Sequence, residues 1–407
     1  MSTINLKNNI LVTILSKGLI LLFNFGVVVF TTQLWGAEGR GIIALFIADL
    51  SLISIISNIF TGSSVSFYLS KFGASKLATQ GYLWTFIVAA VAGIIALLTG
   101  NSQIALYLFI AAALSGFIAF HNALFLGGQK ISSYNIITVI QPALLLGFMF
   151  GAHLIFPSLK YNAYFLGAIL SYFIVLIFCR VMTKKAIGKL TLSLDKETIK
   201  KSFAFGWQTE LSNLLQFFNY RLSYYLLNLF IGTTSVGIFS IGVTISEAIW
   251  IVSKSISLVQ YSNVIKQGDT ISSRKETITV SKYSFYITII CLLLIFLLPK
   301  ELFSFVFGAE FTEVKKIMML LAPGILAISV SNVIGNYFSA IGKLKILIIK
   351  SGIGLIATVI LSFLLIPKLE ITGACIVNSA AYIISSCVLF YGFFRKRESY
   401  NKAINKS

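Results

Sequence analysis

Long apolar runs separated by short polar segments set the pattern of this chain. A helix needs about 20 apolar residues to cross the hydrocarbon core of a bilayer. Runs of that kind occur twelve times, at 10–34, 41–61, 82–99, 104–126, 134–156, 162–179, 203–231, 236–258, 278–298, 317–341, 346–366 and 371–394. The loops between neighbours are short, so the pattern predicts helices packed as an up-down bundle. With only 5 prolines in the chain, long helices meet few interruptions.

Composition agrees with the pattern. Of 407 residues, 57% are hydrophobic and 11% charged, and the mean hydropathy is +0.92. Soluble chains carry about twice that charge fraction. The fold class expected is an all-α polytopic membrane protein. A formal net charge of +19 points to nucleic acid in a soluble chain. Here the positive residues lie mostly between apolar runs, where they set orientation in the membrane, so nucleic acid is set aside as a partner. Lys7 ahead of an apolar run resembles a signal peptide. The run is too long and no small-residue cleavage site follows, so a retained first span is expected.

Lysine and arginine positions orient the spans. With the N-terminus inside, cytoplasmic segments and the span ends beside them hold 22 of the 32 Lys and Arg residues. Outside lie Arg40, Lys160, Lys300, Lys315, Lys316 and Lys368, and within spans lie Lys17, Arg221, Lys254 and Lys350. This bias places both termini in the cytoplasm.

The longest basic segment, 180–201, falls near the middle of the chain and predicts two six-helix halves, 1–195 and 196–407. A weak internal repeat supports the division. "LWGAEGRGIIALF" (34–46) and "FIGTTSVGIFSIG" (230–242) share two glycines five residues apart. Gly36 matches Gly232 and Gly41 matches Gly237, both at an offset of 196. Six spans per half would give repeats of parallel orientation, as in transporters that rock around a central site.

Charges inside spans are costly, about 2.5–3.5 kcal/mol at mid-bilayer on insertion scales, and mark functional positions by default. Lys350 and Lys254 lie near span ends and can snorkel to the headgroups. Arg221 is deeper, inside "FFNYRLSYYLL" (217–227). Its guanidinium stays charged wherever it is put. Glu210, Asn213, Phe217, Tyr224 and Asn228 share or border its helical face. Lys17, Asn24 and Thr31 recur at intervals of seven in the first span, and Ser240, Thr244, Glu247 and Lys254 form a stripe in the eighth. Polar stripes on helices from both halves are expected to line a hydrated central cavity. The alternative is a set of structural ion pairs, Lys17 with Asp49 and Arg221 with a carboxylate.

Other features carry less. Pro142 and Pro323 each free a backbone carbonyl and can kink a helix. His121 and His153 are isolated and have no partners at metal-ligand spacing. Cys179, Cys291, Cys375 and Cys387 show no metal or disulfide spacing and are expected to serve as packing residues. No P-loop is present, and no cofactor is expected. A proton gradient, a sodium gradient, or the gradient or further polymerisation of the substrate are the available driving forces.

The segments "LWGAEGRGIIALF", "NYRLSYYLLNLFIGTTSVGIFSIGVTISEAIWIVSKSIS" (219–257) and "LLAPGILAISVSNVIGNYFSAIGK" (320–343) resemble the Wzx-type polysaccharide flippases. Their superfamily, the multidrug/oligosaccharidyl-lipid/polysaccharide (MOP) exporters, also contains lipid II flippases and MATE antiporters. The resemblance covers essentially the whole chain. It implies a MATE-like fold of about 12 transmembrane helices in two six-helix bundles around a central cavity. It also implies translocation of undecaprenyl-diphosphate-linked oligosaccharide repeat units, such as those of O-antigen, from the inner to the outer leaflet of a bacterial plasma membrane. The partners implied are the lipid-linked oligosaccharide, membrane lipids, a polysaccharide polymerase and glycosyltransferases. Lys17 and Arg221 match cationic positions that hold the diphosphate in related flippases, with Arg40 at the outer rim of the second span. Asn24, Tyr224 and Asn228 are the further substrate contacts, and Asp49, Glu210 and Glu247 the candidates for gating or ion coupling. Relatives commonly read Arg-Leu-Asp where this chain reads Arg221-Leu222-Ser223.

Two other functions compete. A MATE-like exporter of cationic drugs would want an acid in the first span, which carries Lys17 and no Asp or Glu. A membrane-bound polymerase or ligase would want a sizeable outer loop. The longest, about 299–316, mixes Glu301, Glu310 and Glu313 with lysines and reads as a solvated edge rather than acid/base machinery.

Overall fold

The computed structural model describes residues 3–404 except 101, 189, 192, 268, 269 and 344. Every extended element among them is helical. In chain order they are α1 (Thr3–Thr61), α2 (Ser63–Phe72), α3 (Ala74–Leu98), α4 (Ser102–Gly127), α5 (Ile131–Ile155), α6 (Asn162–Ala186), α7 (Lys196–Phe230), α8 (Thr233–Gln267), α9 (Thr270–Leu297), α10 (Lys300–Phe307), α11 (Val314–Ala340) and α12 (Lys345–Ile404). Single 3₁₀ turns occupy Pro157–Leu159 and Ala309–Phe311. Pro142 and Pro323 lie inside α5 and α11, which continue past them.

Nine helices among the described residues are long and apolar enough to cross a membrane, and the protein is a multi-pass membrane protein. The difference from the twelve runs has identifiable causes. Helices α1 and α12, 59 and 60 residues long, each contain a break in helical geometry and each cover two of the runs. The breaks are at Gly36 (φ 61°) and Glu370 (φ 49°). Beyond the second break the chain doubles back, because a Cβ on Gly373 would sit 2.5 Å from the Leu365 carbonyl oxygen. Eight residues of uninterrupted helix would separate those positions by about 12 Å. Helix α7 is not among the nine, since polar residues dilute its hydropathy.

The chain forms two compact units. The first comprises 1–35 and 42–214, the second 36–41 and 215–407. In the first, α4 packs against α2, α3 and α6, and α5 against α6. Its core gathers Ile43, Phe46, Ala89, Ala111, Met149 and Phe165, all essentially inaccessible. The close approach of α5 and α6 depends on Gly167, whose missing Cβ would lie 2.8 Å from the Met149 amide nitrogen. His121 is buried in this unit and bonded at both ring nitrogens, to the Tyr82 hydroxyl (2.9 Å) and to Thr183 Oγ1 (2.7 Å). Those bonds occupy it in helix packing.

In the second unit α11 packs against α8, α9 and α12. Gly242 of α8 lies against Ile317, and Gly324 of α11 lies against the Ser379 backbone and donates its N–H to Ser379 Oγ at 2.9 Å.

The two glycine pairs found in the sequence meet within this unit. Gly36 and Gly232 both have positive φ, 61° and 116°. Their partners allow two backbones to touch. A Cβ on Gly41 would lie 2.0 Å from the Thr233 carbonyl oxygen, and one on Gly237 would lie 1.9 Å from that of Ala37. Thr233 stands 196 residues after Ala37, as Gly237 does after Gly41. The repeat offset therefore maps one contact onto the other, the reciprocity of a self-complementary interface.

Candidate functional site

Arg221 lies on α7 in the second unit, six residues beyond Leu215, where that unit's share of α7 begins. Its Nη2 meets both carboxylate oxygens of Glu247 on α8, at 2.8 and 3.0 Å. Nη1 donates to the Tyr224 hydroxyl at 3.2 Å, and the guanidinium lies 5.0 Å from the centroid of the Tyr224 ring. The two side chains of the ion pair remain 21% and 32% exposed. Both charges thus hold a specific geometry and stay reachable from one side.

Aromatic rings surround the pair. Tyr220, Trp250 and Tyr382, from α7, α8 and α12, contact one another with centroids 5.3–5.5 Å apart. Gln216 Nε2 donates to the Tyr220 hydroxyl at 2.7 Å. Tyr224 leans on Phe239 of α8 at 5.6 Å. This packing, edge-to-face except for the tilted Tyr220–Trp250 pair, fixes ring orientation around Arg221. Two buried donors nearby, the Trp250 indole N–H and the Asn378 side-chain amide, find no acceptor among the described residues.

The Arg-Leu-Ser departure has a local explanation. Ser223 is fully buried and its hydroxyl bonds Asn378 Oδ1 of α12 at 2.5 Å. Nearby, Asn219 accepts from Thr358 at 3.0 Å and sits against Gly354, where a Cβ would be 2.5 Å from its amide nitrogen. A row of small polar contacts thus ties α7 to α12 on a different face from the one carrying Arg221.

Arg40, which the sequence places at the outer rim of the second span, is 5% exposed within α1, and its Nε donates to Ser240 Oγ at 3.2 Å. The Ser240 hydroxyl passes its own hydrogen to the Gly237 carbonyl at 2.7 Å. The glycine crossing pulls 36–41 into the second unit and carries Arg40 with it, within electrostatic reach of Tyr224.

The remaining candidates are spread out. Lys17 and Asn24 lie on an exposed part of α1, whereas Thr31 of the same stripe is buried and bonds the Val28 carbonyl at 2.9 Å. Asp49 is half-buried. Glu210 is 5% exposed and accepts from Asn213 Nδ2 at 2.9 Å, one turn along its own helix. Asn228 accepts from Thr233 Oγ1 at 2.9 Å across the α7–α8 turn. Lys254 is exposed, as snorkelling requires, but Lys350 is not: only 9% of it is accessible. Tyr220, Tyr382 and Asn378 escaped the sequence reading. Their only signal was one more aromatic or amide in segments rich in both.

No group of three His, Cys, Asp or Glu side chains among the described residues is placed to hold a metal ion.

Comparison with solved structures shows a shared fold. An inward-facing MATE-family multidrug resistance transporter of the MOP superfamily superposes with a TM-score of 0.77 at 14% identity, over 94% of this chain and 96% of that one. The lipid II flippase MurJ in an inward closed conformation gives 0.73 at 16% identity, over 94% and 87%. A MOP-superfamily transporter from Pyrococcus furiosus, described as having a binding pocket of reversed polarity, gives 0.59 at 15% over 96% and 95%. No curated protein matches the sequence. Residues 75–316, more than half the chain, match the family of polysaccharide biosynthesis proteins, and the chain belongs to that family.

Proposed function

We propose that this protein is a flippase that carries undecaprenyl-diphosphate-linked oligosaccharide repeat units across the bacterial plasma membrane by alternating access. The observation that carries the proposal is the Arg221 guanidinium, mostly buried yet 21% exposed, clamped by Glu247 and Tyr224. A diphosphate is costly to bring into a low-dielectric setting. A fixed guanidinium offers it two parallel charge-assisted hydrogen bonds. Glu247 occupies Nη2 with a carboxylate of its own and the Tyr224 hydroxyl occupies Nη1, so phosphate oxygens taking their places would change the local charge little. Family membership and the fold shared with a lipid II flippase support the same reading.

Tyr224 and Trp250 present the aromatic surfaces that sugar rings favour, and Asn228 an amide. Lys17 and Asn24, exposed on α1, are proposed as further contacts. Arg40 is assigned to supporting positive potential rather than direct contact. Asp49, Glu210 and Glu247 remain the candidates for proton or sodium coupling, and both termini are assigned to the cytoplasm on the lysine and arginine bias. Export of cationic drugs fits less well, because Glu247 is already engaged by Arg221.

Leaflet assignment in host cells tests the reading. Cells lacking the protein should accumulate lipid-linked oligosaccharide in the inner leaflet, and wild type should relieve this. Normal outer-leaflet delivery without the protein, in a host with no second flippase, contradicts it.

A further inference from the structure

A second binding feature lies away from Arg221, among α9, α11 and α12. A cavity of about 300 Å3 opens there, walled by Phe285, Tyr286, Ile334, Phe390 and other apolar side chains. That volume is at the low end for ligand pockets and suits a single hydrocarbon chain. Tyr286 and Phe394 at its edge are 60% and 51% exposed, so it opens sideways from the helices.

Two polar features set it apart from an ordinary lipid-facing groove. Ser281 lines it and is only 9% exposed, yet its hydroxyl finds no hydrogen-bond partner among the described residues. Serines in helices can bond a carbonyl one turn back, as Thr277 does to Ser273 one turn earlier. A buried hydroxyl left unpaired is unfavourable, and a ligand oxygen in the cavity would satisfy it.

The second feature is positive charge. Arg274, Ile278, Ser281, Lys282 and Phe285 follow the spacing of one helical face. Lys282 lines the cavity and is exposed. Arg274, about 12 Å from Lys282 along the helix, donates Nη2 to the Phe393 carbonyl at 2.7 Å and lies 4.3 Å from that ring's centroid. Phe393 itself lines the cavity. The neighbouring acid, Glu276, accepts from Asn263 at 2.8 Å.

We propose that this cavity holds one chain of an anionic phospholipid, with the phosphate at Lys282 and Arg274 and an ester oxygen at Ser281. Basic pockets between membrane helices recognise such headgroups. Ser281 favours a glycerophospholipid over a prenyl phosphate, because only the former carries oxygens just below its phosphate. The apolar walls take the acyl chain.

Native mass spectrometry of the purified full chain tests this, with phosphatidylglycerol, phosphatidylcholine and undecaprenyl phosphate offered in equal amounts. Wild type should retain phosphatidylglycerol about tenfold over phosphatidylcholine. Lys282→Glu, at an exposed position that tolerates change, should erase that preference. Ser281→Ala should weaken retention about threefold. Equal retention of the two phospholipids, unchanged adducts in Lys282→Glu, or preferential retention of undecaprenyl phosphate would overturn the proposal.

Discussion

Arg221 of α7 and Glu247 of α8 form a salt bridge at 2.8 Å that joins two helices through a pair neither fully buried nor freely solvated. Removing one member leaves the other charged without its partner. Glu247→Gln should lower stability by about 1.5–3 kcal/mol, the range for hydrogen bonds to charged groups. Partial exposure keeps it below the cost of breaking a fully buried pair. A thermal melt in detergent measures it. A melting temperature equal to wild type would mean that the pair contributes nothing to the fold.

The glycine crossing should be far less tolerant. Gly237→Ala sets a Cβ 1.9 Å from a backbone oxygen, where no side-chain motion can relieve it. The expected loss is at least about 3 kcal/mol, visible as poor recovery of folded protein. Gly147→Ala is the control. It meets nothing within 4 Å inside α5 and should stabilise by about 0.5–1 kcal/mol.

Ser223→Ala removes the hydroxyl that bonds Asn378 Oδ1. A buried amide oxygen then loses its donor, at a cost of about 1–3 kcal/mol. Ser223→Asn retains a donor and should recover part of the loss. If both variants melted like wild type, the α7–α12 polar row would be dispensable.

The apolar runs all fall on helices because hydropathy is local, although α1 and α12 each take up two of them. The two glycine pairs were legible too, since the positive φ at Gly36 and Gly232 and the crossing at Gly41 and Gly237 each demand a residue without a side chain. What could not be read was pairing between distant segments. Nothing in residues 34–46 indicates that Arg40 will be drawn inward onto Ser240, 200 positions later. Lys350, placed near a span end by hydropathy, proved buried because that count ignores which helix face is covered. Arg221 stood out in the sequence by its charge alone. Choosing Glu247 rather than Glu210 as its partner requires knowing how α8 lies against α7.

Acid dependence is expected at the start of α7. Asp195 accepts the Thr198 backbone N–H at 3.1 Å and the Thr198 hydroxyl, and lies 3.7 Å from Lys76. These contacts, the Thr198 hydrogen bonds foremost, hold its carboxyl below the usual 3.8. A depressed folded-state value means that the carboxylate's contribution is complete above the ordinary 3.8 and is lost as pH falls through the lower folded value. Melts between pH 7 and pH 5 should therefore match for wild type and for Asp195→Asn in their pH dependence. Below about pH 4 wild type should lose the extra stability that Asp195 supplies, and the variant should show no such loss. Parallel curves down to pH 2 would rule out this contribution.

Whether Arg221 holds the diphosphate during transport is read most directly from transbilayer movement of undecaprenyl-diphosphate-linked oligosaccharide in proteoliposomes, followed by access of the glycan to a membrane-impermeant lectin. Arg221→Ala should abolish movement, and Arg221→Lys, with its charge but without the two-pronged geometry, should slow it about tenfold or more. Wild-type rates in a well-folded Arg221→Ala protein would contradict the account and leave the Arg221–Glu247 pair as a strut between helices.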